Sequence, residues 1–116
     1  MGNNAKLKPT AHRKPRLVIT KNFLKDFETV LAYGSSVFGD TVSQKFKKEI
    51  LSRIKALPAF PHANPINRFL ESTDKKTYRY ILYENYYVIY SVTKSTVRVI
   101  SIIHQAVNPK TIRKIR

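Results

Sequence analysis

Apolar residues follow two different rhythms along the chain, and the change between them comes near residue 78. Before it, Phe23, Phe27, Val30 and Leu31 recur at i, i+4, i+7 and i+8, which gathers them on one helical face while Lys21, Lys25, Asp26 and Glu28 face away. Thr20 or Asn22 is suited to cap this helix, and Gly34 to end it, because glycine tolerates a left-handed backbone. Gly34 to Asp40 reads as a loop, with Asp40 as the cap of a second helix whose stripe is Val42, Phe46, Ile50, Ile54 and Leu57. Pro58 stops that helix. So short a link predicts an antiparallel helical hairpin, and both stripes then need a common surface to cover them.

From Tyr78 the composition turns to Tyr, Val and Ile, and three strands are expected at Tyr78–Tyr83, Tyr86–Thr93 and Val97–Ile103. Separators as short as Glu84-Asn85 and Lys94-Ser95-Thr96 require antiparallel hairpins, so the three form a meander on which the helices can pack. Leu17, Val18 and Ile19 make a further short strand, free to join at an edge or the centre. Pro58, Pro61 and Pro65 followed by the polar run Ser72 to Thr77 mark a structured connector. The fold class is therefore α+β, in the order β-α-α-β-β-β, with a helical hairpin on a small antiparallel sheet. Asn108 and Pro109 open a short basic C-terminal helix carrying Ile112 and Ile115. Val97, Val99 and Ile103 alternate with Arg98, Ile100, Ile102 and His104, so both faces of the last strand are apolar and periodicity leaves the buried face open.

Charge adds a constraint on partners. The 116 residues hold 22 Lys or Arg against 7 Asp or Glu, a formal net charge of +15. Residues 1–16 carry Lys6, Lys8, Arg13, Lys14 and Arg16 with no acid and read as a flexible basic arm ahead of a single domain, 17–116. Such a surface favours nucleic acid, an anionic membrane or an acidic protein, and charge alone does not choose among them. No apolar run approaches the roughly 20 residues that span a bilayer, so no membrane is expected. Without cysteine there is no disulfide, cysteine-zinc site or thiol nucleophile, and with three scattered histidines neither metal nor cofactor is expected. The glycines, Gly2, Gly34 and Gly39, form no phosphate loop.

The sequence resembles the RelE/ParE superfamily of type II toxin–antitoxin toxins over about residues 17 to 109. The resemblance lies in Leu57-Pro58, in Tyr78-Arg79-Tyr80-Ile81-Leu82 and Tyr87-Val88-Ile89-Tyr90-Ser91-Val92, and in Val99-Ile100-Ser101-Ile102-Ile103-His104 leading to Asn108-Pro109. It implies a toxin of the bacterial cytoplasm, neutralised by a cognate acidic antitoxin, that acts either on DNA gyrase, as in the ParE branch, or on the ribosome as a messenger-RNA endonuclease. The ribonuclease members carry several cations on the meander with a late Tyr or His. Against that pattern Arg79 is retained, whereas Ile81, Tyr87 and Val107 stand at positions of basic residues. Each lost charge-assisted contact to the phosphate costs on the order of 2 to 4 kcal/mol of transition-state stabilisation.

The nearer branch is thus ParE-like, with a protein target and most simply gyrase. Under the ribonuclease alternative the catalytic residues would be Arg79, Tyr87 and His104, the histidine serving as acid or base; a third reading, a non-toxic nucleic-acid-binding module, follows from charge alone. Arg79 is equally suited to a structural part, as an anchor against the connector or the C-terminus. The cations expected to meet antitoxin or target are Arg68, Arg98, Lys110, Arg113 and Lys114.

Overall fold

The computed structural model describes residues 14–66 and 77–106. Its elements run β1 (Arg16–Ile19), α1 (Lys21–Phe38), α2 (Asp40–Ala56), β2 (Thr77–Tyr83), β3 (Tyr86–Val92) and β4 (Thr96–His104), the expected order of one strand, two helices and a three-stranded meander. The expected C-terminal helix and the basic arm lie outside the described residues, Lys14 to Arg16 excepted.

The four strands form one sheet in the order β1-β4-β3-β2. The meander is antiparallel, but β1 takes the edge beside β4 and runs parallel to it, Leu17 against Val97 and Ile19 against Val99, so the sheet is mixed and not wholly antiparallel. The long crossover through both helices makes this direction available, since a parallel neighbour needs a connection far longer than a hairpin turn. Thr20 fixes the point where β1 becomes α1. Its hydroxyl accepts from the Phe23 amide (3.1 Å) and donates to the Val99 carbonyl (2.9 Å), while Asn22 donates to Ile100 O (2.8 Å), so the helix start is tied to β4.

Two glycines play different parts from those expected. Gly34 does not end α1; the helix continues to Phe38, and Gly39 (φ 94°, ψ 161°) forms the joint, donating its amide to Ser35 O at 3.0 Å. The loop is thereby reduced to a single residue. Asp40 is the first helical residue of α2, where its carboxylate favours the positive helix end and accepts from the Ser35 hydroxyl; it is not the cap. The stripe of α2 also rotates by one position at its start, with Ser43 buried against the Leu31 carbonyl (2.9 Å) and Val42 52% exposed.

The main core packs Phe23, Phe27, Ile50, Ile54 and Leu57 of the helical layer on Ile81, Val88, Tyr90, Val99 and Ile102. Each such side chain taken from water contributes roughly 1.5 to 3 kcal/mol. A bulge explains why alternation in β4 left its faces open. Tyr90 pairs with Val99 and Ile89 with Ser101, so Ile100 is an extra residue. Val97, Val99 and Ile102 consequently face the helices, while Ile100 and Ile103 join Tyr78, Tyr80, Tyr87 and Ile89 in a second cluster on the opposite face.

Candidate functional site

The far end of the helical hairpin overhangs the β2–β3 turn, and between them lies a cleft of about 480 Å³. Phe38 and Val42 of the hairpin tip form one wall, and Phe46, Tyr83 and Tyr86 the floor, with Lys45 at the rim. The aromatic floor is a packed unit: the Phe46 ring lies 5.6 Å from Tyr83 and 5.5 Å from Tyr86, and the Arg53 guanidinium covers Tyr83 at 4.8 Å. Tyr33 (59%), Val37 (52%) and Phe38 (64%) remain exposed along α1, so the apolar surface continues out of the cleft. Burial, with a smaller contribution from nearby Tyr33, raises the Tyr86 pKa above its ordinary value and keeps the hydroxyl protonated. Glu84, also lining the cleft, holds a left-handed backbone with φ 56° that is unusual for a side chain of its kind.

The three residues expected for ribonuclease chemistry do not converge. Arg79 shares the helix-facing side of the sheet with Tyr90, and its Nη1 donates to the carbonyls of His62 (3.2 Å) and Asn64 (2.6 Å) in the connector. Tyr87 belongs to the second cluster on the opposite face, edge-on to Tyr80 at 5.0 Å. His104 pairs with Tyr86, four residues along β3 from the partner of Arg79, so it lies roughly 13 Å further along the sheet and two strands across from that arginine. Its ring stands edge-on to Tyr86 at 5.1 Å, and its Nδ1 accepts from the Ala106 amide at 3.1 Å. Acid or base, cation and phosphate would have to meet within hydrogen-bond reach, which these positions do not provide.

Among the cations expected at an interface, Arg98 is exposed on β4, paired across the sheet with Val18 and Ser91. Arg68, Lys110, Arg113 and Lys114 lie outside the described residues. The cleft itself was only partly legible. Tyr83 and Tyr86, which bound two strands expected from the sequence, do pair across the sheet, but Tyr33, Phe38 and Val42 carry the wall. The available signal was that Val37, Phe38 and Val42 continue an apolar run beyond the stripe each helix buries. No group of side chains able to hold a metal ion occurs among the described residues, and none of their helices is long and apolar enough to cross a membrane.

Comparison with known proteins agrees with this architecture. Residues 17–109 match the family described as ParE toxin of type II toxin–antitoxin system, parDE. A search of curated proteins gave no match. Among solved structures, a chain of the chromosomal ParDE toxin–antitoxin system from P. aeruginosa superimposes with a TM-score of 0.64 at 16% identity, over 80% of this chain and 97% of that one. With the family match spanning most of the sequence and the fold shared, the chain belongs to the ParE toxin family of type II toxin–antitoxin systems.

Proposed function

We propose that this toxin arrests growth by binding a protein target, DNA gyrase, and that a cognate acidic antitoxin neutralises it by seating an amphipathic segment in the cleft between the helical hairpin and the β2–β3 turn. The observation that carries the first part is the dispersal of Arg79, Tyr87 and His104 over two faces and two ends of the sheet, with the Arg79 guanidinium held by backbone carbonyls. A site that stabilises a pentavalent phosphate needs converging charge. The second part rests on the cleft, whose aromatic floor suits apolar anchors spaced along a helix and whose Lys45, with Lys48 one turn further along α2, suits the carboxylates beside them. Binding of this kind couples folding of the segment to docking.

The toxin is induced in bacteria under tight control while plasmid supercoiling, translation and transcript integrity are followed. Gyrase supercoiling should stall with messages intact. Transcripts cut at ribosomal A sites, with the cutting abolished by Arg79→Ala, would sink the gyrase reading in favour of the endonuclease. Phe38→Glu tests the cleft: the variant should still arrest growth but escape neutralisation by the protein encoded in the adjacent reading frame, with the affinity of the pair falling at least tenfold. Undiminished neutralisation would place the antitoxin elsewhere.

A further inference from the structure

We infer that the loop 58–66 is the surface through which the toxin grips the protein it acts on, with the Phe60 ring as anchor; this rests on the toxin reading above. The loop leaves the end of α2 and holds no charged residue from Pro58 to Ile66, in a chain of net charge +15. Ala59, Phe60, Ala63, Pro65 and Ile66 are all exposed, and Phe60, at 68%, is more exposed than the apolar side chains of the cleft wall. Five exposed apolar residues in so short a span differ from the single scattered ones found on any surface.

The backbone that displays them is tightly held. The Phe60 amide donates to Leu57 O (3.1 Å) and the Ala63 amide to Phe60 O (3.2 Å), while Pro58, Pro61 and Pro65 fix φ. From the sheet, Arg79 binds the His62 and Asn64 carbonyls, the Tyr90 hydroxyl donates to Pro61 O (3.3 Å), and the Tyr80 amide donates to Pro65 O (3.1 Å). Arg79 leaves its own buried Nε without a partner in making these bonds. A cation sunk at this cost to hold nine residues in place, with a phenyl ring projecting from them, makes a preorganised contact, because the ring loses little freedom on docking. An exposed aromatic ring set among residues without charge is the composition of an interface centre. The side chains of the loop itself carry no charge to offer a phosphate backbone or an acidic segment, and the one neighbouring cation, Arg79, is engaged with the loop's carbonyls, so the partner is a protein with an apolar pocket that admits a phenyl ring. The loop also stands beyond the opposite end of α2 from the cleft, roughly 15 to 21 Å away along the helix axis, so the two surfaces serve different partners.

The test compares the full chain with Phe60→Ala and Phe60→Trp, each induced in bacteria from a titratable promoter and each purified for a thermal melt and a supercoiling assay with purified gyrase. Phe60→Ala should melt as the parent does yet need at least tenfold more protein to arrest growth, and Phe60→Trp should restore potency. Equal potency of Phe60→Ala overturns the inference. A parent that arrests growth without stalling gyrase, with potency still lost in Phe60→Ala, discards gyrase and keeps the loop. A parent without effect on growth overturns both the toxin reading and this one.

Discussion

Single side chains in this protein are assigned by what holds them, and Arg79 shows it most clearly. A guanidinium matching a family's phosphate-binding position is here engaged with two carbonyls of the connector, so its first duty is to fasten that loop to β2. Tyr90 shares the task and gives it a pH dependence. Burial raises the Tyr90 pKa above its ordinary 10.0, with hydrogen bonding to Asn64 and the charge of Arg79 opposing in part. Below pH 10 both folded and unfolded chains keep the proton; above it only the unfolded chain releases it, so stability falls as pH rises toward the folded value. Tyr90→Phe should therefore flatten the alkaline decline in denaturation midpoint between pH 9 and 11, while costing roughly 1 kcal/mol at neutral pH for the bond to Pro61. A parallel decline in both proteins would show that other groups govern the alkaline limb. Glu84 offers a second measurement at this scale. Its left-handed backbone costs a side-chain-bearing residue on the order of 1 kcal/mol, so Glu84→Gly should stabilise the chain by about that amount in urea titration.

At the scale of elements, the hairpin joint separates two residues of one type. Gly34 lies within α1, and a Cβ there would meet Ser43 Oγ at 3.7 Å, an ordinary contact. Alanine should then stabilise the helix by up to about 1 kcal/mol. Gly39 has open space around it but a φ of 94°, so alanine at that position should destabilise by roughly 1 to 3 kcal/mol and loosen the hairpin. Opposite signs in paired urea titrations of Gly34→Ala and Gly39→Ala check the assignment, and two losses of equal size would contradict it. The reading of Gly34 as a stop failed because glycine weakens a helix without ending it. The packing of α1 on α2 and the bond from Ser43 to Leu31 carry the helix onward, and the end falls at the residue whose backbone cannot be helical.

For the whole molecule, the layers divide the surface into distinct regions. The helical layer and the sheet enclose one core, the hairpin tip and the β2–β3 turn leave an aromatic cleft at one end, and the connector turns an uncharged loop outward beyond the other end of α2. A toxin neutralised at one place and active through another could be held in check without its working surface being filled. The salt dependence of antitoxin binding belongs at this scale as well. If the cationic rim steers an acidic segment while the aromatic floor retains it, raising salt from 50 to 500 mM should slow association at least tenfold and change dissociation little, as read by stopped-flow and surface-binding kinetics. Dissociation that accelerated as strongly would move the weight from the floor to the charges.

The sequence by itself determined what depends on neighbours within an element. The helical period fixed the stripe of α1 and that of α2 from Phe46 onward, the short separators fixed an antiparallel meander, and the wording of the strands pointed to the toxin family. What the tertiary structure decided depends on residues far apart in the chain: the parallel pairing of β1 with β4, the bulge at Ile100 that sorts β4 between two faces, and the capture of Arg79 by the connector. These follow from partners some fifteen to eighty positions away, whose approach no local period encodes. The three candidate catalytic residues illustrate the difference, since Arg79, Tyr87 and His104 are near in sequence pattern but are set apart by strand register, which places successive side chains on opposite faces of a sheet.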